Sequence, residues 1–318
     1  MKSMFILAAC IFSLVLFCSW GFFAHKQINR LAVFTLPSGL NRFFKANINY
    51  LTEHAVDPDK RRYADTAEAP RHFLDVERYE KHIDSIPRKW EAALLKYGAK
   101  RLNQDGIVPW QIQKSYFRLV TAFKLKDSIR ILLAAAAIGH YISDAHVPLH
   151  TTENHNGQLT NQSGIHAFWE SRLPELFAKD YNFMIGKAVY IDDPLKEAWK
   201  IVSHTHSLVD TVLRFEAILN KRFPASQKYS FSERNFQVAR QYGLNYSRAY
   251  QNILENMVEK QMRLSILSVG SYWYSAWVDA GQPELENLSK VSLSFEELKE
   301  LNNQEQQYKK GKIIGREN

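Results

Sequence analysis

Cysteine is almost absent from this chain of 318 residues: there are two, Cys10 and Cys18, both close to the start. If that first segment is removed, the rest has no disulfide and no zinc-thiolate site, and any metal must be held by His, Asp and Glu. Glycine and proline are also sparse, at 13 and 10. That leaves little turn material for a many-stranded sandwich or barrel. Beyond the start, no run reaches membrane-spanning length without charges, and no internal repeat or low-complexity block appears. What is present argues for a sizeable core, because 46% hydrophobic and 13% aromatic content is too apolar for a disordered chain. The 41 Lys and Arg against 33 Asp and Glu give a formal charge of +8. A basic surface attracts nucleic acid and anionic lipid alike, so charge does not choose between them.

The first nineteen residues read as a signal peptide. Lys2 supplies a positive head, and Phe5 to Phe17 forms an uncharged apolar stretch too short for a transmembrane helix. Cleavage after Ser19 implies export to a periplasmic or extracellular space. An uncleaved membrane anchor is the alternative, because bulky Phe17 stands at the third position before the cut, where a small residue is preferred. The same Phe17 argues against lipid attachment at Cys18. Residues 20–290 read as one domain, followed by a polar C-terminal helix and tail over 291–318.

Helix signals dominate that domain. Pro109 opens one stretch, Asp127 caps the segment running through Asp144, and Ser163 caps another that starts near Ile165. Asp193 and Pro194 begin an amphipathic segment to about Arg222, and a further one runs from about Asn245 to Ala280 with an interruption at Gly270. Ser294 and Glu297 form a capping-box pattern ahead of the terminal helix, with a loose tail from Lys309 to Asn318. The fold class is all-α, a single helical bundle.

The segment Ile131 to Ile138 is apolar on every face, which places it in the middle of the bundle. It ends in His140 and Asp144, four residues apart and hence on one face. A buried carboxylate costs several kcal/mol unless it is paired or bound to metal. For an isolated pair, a His–Asp hydrogen bond in the core is the simpler explanation. The neighbours favour metal. Pro148 stops the helix and His150 follows at once, so the chain can return a third imidazole to the same cavity. His166 and Glu170 then repeat the four-residue spacing beside Phe168 and Trp169. Upstream lie His72, in Arg71-His72-Phe73-Leu74-Asp75, and Asp57, in a charged stretch with Asp59, Lys60 and Arg61. Taken alone, that stretch is an ordinary solvated loop. A chain cut before Trp20 would also present a free amine and a carbonyl oxygen, which together can chelate a metal, five residues ahead of His25.

This ordered set resembles the superfamily of zinc-dependent phospholipases C and zinc-dependent single-strand-specific nucleases, over most of the mature chain. The resemblance rests on Trp20 and His25, Asp57, His72-Phe73-x-Asp75, His140 with Asp144 and His150, and His166 with Glu170. It implies an all-helical fold with about three zinc ions in a cleft. One would be held by Asp57, His72, His140 and Asp144, and a second by His150, His166 and Glu170. The third would use the Trp20 amine and carbonyl with His25, bridged by Asp144. It further implies phosphodiester hydrolysis by metal-activated water, with Asp57 as the residue that orients or deprotonates the water and Asp59 as its alternative. Lys60 stands where the nuclease branch carries an Arg that contacts phosphate, with Arg61 as a substitute. A solvated basic loop explains both cations equally well.

The substrate is the less determined part. Glu170 in place of Asp, the short loop from His150 to His166 and the missing cysteines resemble the phospholipase branch, so a phospholipid is favoured over single-stranded nucleic acid. Phe23 replaces an acidic residue that phosphatidylcholine-cleaving enzymes use for the choline cation. Phe73 and Asp75 are candidate substrate contacts, Phe73 by stacking a base or lining a lipid pocket, although burial beside a ligand explains Phe73 more simply. His146 and His155 sit at the motif's edge, where structural roles are favoured. His54, His82, His204 and His206 have no matching partner. Tyr272, Trp273, Tyr274 and Trp277 recur at helical spacing and read as core. No stable protein partner is expected. A function of another class stays open: a non-catalytic helical binding protein braced by zinc.

Overall fold

The computed structural model describes residues 22–234, 237–286, 288, 295–311 and 313. Residues 1–21, which include Cys10, Cys18 and Trp20 and the stretch expected to be a signal peptide, lie outside the described residues, as do Ser294 and most of the tail beyond Gly311. The helices of ten residues or more are α1 (Phe22–Ala32), α2 (Trp90–Asp105), α3 (Val108–Lys124), α4 (Ser128–Ala145), α5 (Pro194–His206), α6 (Val209–Arg222), α7 (Leu244–Ile253), α8 (Met257–Asp279) and α9 (Phe295–Lys310). Shorter helical turns connect them. A two-stranded antiparallel hairpin, β1 (Tyr229–Arg234) and β2 (Gln237–Tyr242), pairs Tyr229 with Tyr242. It is the one departure from an all-helical chain among the described residues.

Helix α4 occupies the centre, packed by α1, α3, α5 and α8. It starts where expected: the Asp127 carboxylate accepts hydrogen bonds from Ile129 N and Arg130 N, both at 3.1 Å. Such a cap contributes about 1 kcal/mol. Backbone carbonyls of α4 serve as anchors for its neighbours. Asn29 of α1, fully buried, donates from Nδ2 to Ala136 O at 3.2 Å and to Leu51 O at 3.3 Å. Trp273 of α8 donates from Nε1 to Ala135 O at 3.0 Å. These bonds fix the register of α1 and α8 against α4, and with it the position of His25 relative to His140. Tyr272 and Trp273 are buried as core, and Tyr274 and Trp277 pack half-buried against it.

Four expectations need correcting. Ser163 does not cap the helix at Ile165: the cap position is Gly164, at φ 95°, where a left-handed backbone favours glycine. The segment from Asp193 to Arg222 is two helices, broken at Ser207 and Leu208. The segment to Ala280 breaks at Glu255 and Asn256, both at positive φ, and not at Gly270. Gly270 continues α8 without interruption because its missing side chain makes room for Thr35, whose Oγ1 would lie 1.9 Å from any added Cβ. Finally, α4 is not enclosed all round. Leu133, Ala134 and Ala137 are only half-buried and face a groove.

Candidate metal centre

Three groups of side chains converge where α1, α4, the turns Asp57–Arg61 and Ala69–His72 and the segment 148–172 meet: His25 with His140 and Asp144, Asp59 with His72 and His140, and His150 with His166 and Glu170. The four-residue spacing brings His140 and Asp144 onto one face of α4, with Nε2 3.3 Å from Oδ2. Helix α4 ends at Ala145, and the chain turns through a 3₁₀ segment, Pro148–Thr151, that places His150 beside the second helix. That helix, Ile165–Phe177, passes through a π segment at Phe168–Arg172. Pro174 has no N–H to offer the carbonyl of Glu170, which favours the wider turn.

Asp144 faces two ways. Its Oδ2 lies 2.9 Å from His72 Nδ1, while Oδ1 lies 3.4 Å from His25 Nε2 and 4.0 Å from His150 Nε2. Glu170 behaves similarly, with Oε2 2.8 Å from His166 Nε2 and 3.4 Å from His150 Nε2, and Oε1 3.2 Å from His25 Nε2. All of these groups except Asp59 are buried. Burial alone would raise the carboxyls of Asp144 and Glu170. The neighbouring imidazoles, foremost His140 and His150 respectively, outweigh it and hold both well below the usual carboxylate range. Burial opposes charging His25, but the hydrogen bond to Glu170 and the charge of Asp144 lift it to about 9. His140 is lowered, chiefly by burial. Cation binding would displace such protons.

The donor set fits zinc. His140 Nδ1 donates to Ala55 O at 2.9 Å, His150 Nδ1 to His72 O at 2.7 Å and His166 Nδ1 to His155 O at 3.2 Å. Each bond fixes the tautomer that leaves Nε2 with its lone pair toward the cluster. There the nitrogens approach one another: His150 Nε2 and His166 Nε2 are 3.1 Å apart, as are His140 Nε2 and His72 Nδ1. Lone pairs so close, facing the same carboxylate oxygens, repel unless a cation lies between them. The edge of a tetrahedron with bonds of about 2.0–2.1 Å is about 3.3 Å, which matches these separations.

The carboxylate grouped with His72 and His140 is Asp59, not Asp57. Asp59 Oδ1 lies 3.8 Å from His72 Nδ1 and 3.7 Å from His140 Nε2. Two residues apart on the helical turn Asp57–Arg61 is about 200° of rotation, so only one of the two acids can face the centre. Asp57 instead meets His54, Nδ1 to Oδ2 at 2.5 Å, which gives His54 a partner the sequence did not suggest. Lys60 lies 3.6 Å from Asp57 Oδ1 and 3.5 Å from Glu305 Oε2 of α9.

Phe73 and Asp75 are not open to a substrate. Phe73 is 4% exposed, and its ring and carbonyl fill the space where Gly106 has no side chain. The Phe73 carbonyl accepts from Val108 N at 3.1 Å. Asp75 is buried beside Tyr79, with its N–H bonded to Asp105 O at 2.8 Å. His146 is buried with Nε2 3.1 Å from Ser268 Oγ, and His155 supplies the carbonyl that orients His166.

Glu68 is a part of this centre that the motif reading missed. It has no exposure, and its Oε1 lies 3.4 Å from His72 Nε2, on the side of the ring opposite the cluster. Arg61 Nε is 3.3 Å from Glu68 Oε2, and Arg71 Nη1 and the Tyr141 hydroxyl also donate to this carboxylate. Burial would raise the Glu68 carboxyl, but His72 and the two guanidinium groups pull it far below the usual range. Arg61, committed here, is not available as a substitute for Lys60. A signal existed, because Glu68 precedes His72 by the same four residues that link His140 to Asp144 and His166 to Glu170.

Among families of known proteins, the model described as zinc dependent phospholipase C matches residues 24–233. No curated protein matches the chain.

Proposed function

The chain belongs to the zinc-dependent phospholipase C family, a zinc hydrolase with three groups each able to hold an ion, and we propose that it cleaves the phosphodiester of a phospholipid. In that reaction the water oxygen bonds to phosphorus and the bond from phosphorus to the glycerol oxygen breaks. The glycerol oxygen leaves as an alcohol after taking a proton, and the phosphorylated headgroup is released.

The observation that carries this reading is adjacency. Asp144 turns one oxygen to His72 and the other to His25, and His140, whose one free nitrogen can serve a single ion, lies within reach of two of the groups, so the sites lie side by side, as cleavage of one phosphodiester between them requires. Zinc, when bound, supplies Lewis acidity to polarise the ester and acidify water. The side chains supply the rest. Asp59, 21% exposed at the rim of its group, is placed to accept a proton from the attacking water. Lys60 is held by Asp57 and Glu305, on the side of the turn that Asp57 shares, so no phosphate contact is assigned to it. Burial of Phe73 removes it as a contact for a base and for a lipid alike, so what supports a lipid is the family match. Phe23, 39% exposed, brings no charge for a choline headgroup.

Hydrolysis of phospholipids with several headgroups, single-stranded DNA and RNA, and bis-nitrophenyl phosphate tests this directly. Asp59→Asn is expected to lower turnover of the best substrate by roughly 10²-fold or more, and Asp57→Asn by only a few-fold. The reverse order would return the role to Asp57. Faster cleavage of nucleic acid than of any lipid would contradict the lipid assignment, and full zinc with no turnover would favour the braced binding protein. The third group acquires the Trp20 amine only if export cleaves the chain directly before it. N-terminal sequencing of the secreted protein is expected to begin at Trp20, and any other start leaves that group without its amine.

A further inference from the structure

The exposed side of α4 bounds a cavity of about 920 Å³ between α3, α4 and α9; it contains none of the metal-binding groups, and one side of it is formed by Arg61, Arg71 and Tyr141, which hold Glu68. Its floor is apolar, made by Leu133, Ala134 and Ala137, and its lining includes Phe117 and Leu125, which are 53% and 63% exposed. One wall is cationic. Lys114 and Arg118 stand four apart on α3, on the same face, a like-charge pairing that costs helix stability. Neither side chain makes an ion pair or hydrogen bond among the described residues, and Arg71 lies close enough for all three charges to repel. Desolvation, then the charges of Arg118 and Arg71, lower the Lys114 ammonium from its ordinary value.

Two of the acids that line the same cavity are already engaged. Asp65 lies 3.2 Å from Arg71 Nη1 and Glu297 lies 3.1 Å from Arg130 Nη2; Glu300 accepts at 3.3 Å from the neutral Gln304 amide and keeps its charge, one acid against the two cations Lys114 and Arg118. The cavity therefore combines net positive charge at its rim with an uncovered apolar floor. Nucleic acid would use the charge and leave the floor wet; inorganic phosphate would do the same. An amphiphile with a phosphate head and an acyl chain satisfies both, and the volume suits a molecule of that size.

We propose that this groove is a second site, separate from the metal centre, that binds one anionic phospholipid, with the phosphate on Lys114 and Arg118 and an acyl chain along Leu133, Ala134 and Ala137. Such a site would hold the protein on an anionic lipid surface. It does not depend on the hydrolysis proposed above, because a phosphate monoester lipid is no substrate for a phosphodiesterase and still carries both parts of the ligand.

The test is calorimetric titration of the zinc-loaded full chain with dihexanoyl phosphatidate below its micelle concentration. Inorganic phosphate and an oligothymidylate are titrated in parallel. Saturable binding of the lipid is expected, weakened tenfold or more by Lys114→Glu with Arg118→Glu. An equal loss is expected from Ala134→Trp, which fills the floor. Both variants should melt at the wild-type temperature and hydrolyse bis-nitrophenyl phosphate at the wild-type rate, so failure of this site is distinguishable from failure of the reaction. No lipid binding, or binding that either change leaves intact, overturns the proposal. So does phosphate or oligothymidylate binding as tightly as the lipid and indifferent to Ala134→Trp, which would mark a plain cationic patch or a nucleic-acid surface.

Discussion

Asp144→Asn is expected to abolish hydrolysis and to lower the zinc content at the same time. Asp144 places one oxygen toward His72 and His140 and the other toward His25 and His150, so the substitution removes charge from both sides of the cluster while keeping its shape. The imidazoles that now hold this carboxylate ionised would face a neutral amide, whose NH2 cannot bind a cation. The loss in turnover should exceed the roughly 10² to 10³-fold that follows removal of a single hydrogen bond to a transition state. Zinc analysis and turnover on the same preparation check it. Full zinc and near-normal turnover in Asp144→Asn would mean that Asp144 is only a buried hydrogen-bond partner.

The second large effect is expected at Glu68, which touches no substrate and acts through His72. Glu68→Ala would leave two guanidinium groups and the far nitrogen of His72 facing a cavity. Breaking a buried charge pair by removing one partner costs about 3–5 kcal/mol, so this variant should melt well below the wild type. Glu68→Gln keeps the volume and one acceptor oxygen. It should fold, yet bind zinc roughly 10 to 100-fold more weakly at the His72 group, as loss of the partner behind a ligating imidazole does. Competition with a chelator of known affinity measures this. A Gln variant with wild-type zinc affinity would reduce Glu68 to a purely structural anchor.

Much of this centre could be read from spacing, because a helix converts sequence distance into direction. His140 with Asp144 and His166 with Glu170 were legible on that ground, as was the stop at Pro148 that returns His150 to the cluster. Asp127 as the cap of α4 was legible for the same reason, since the cap depends only on neighbouring N–H groups. Features set by contacts between distant segments were not. The choice of Asp59 over Asp57 depends on which side of a five-residue turn faces α4. Burial of Phe73 depends on a glycine thirty-three positions further on. Gly270 looked like a break when read along one helix; it is a contact with Thr35 when the fold is seen. The all-apolar run of α4 predicted enclosure, but apolarity states a preference and not what covers the surface, and one side opens on the groove.

The central claim is that these imidazoles and carboxylates are arranged around cations. The most direct measurement is X-ray diffraction above and below the zinc absorption edge, on crystals of protein purified without chelator. The account predicts anomalous density, specific to zinc, inside each of the three groups: beside His25, His140 and Asp144; beside Asp59, His72 and His140; and beside His150, His166 and Glu170. A map with no zinc signal in that pocket, and with the rings hydrogen-bonded to the carboxylates and to ordered water instead, would contradict it.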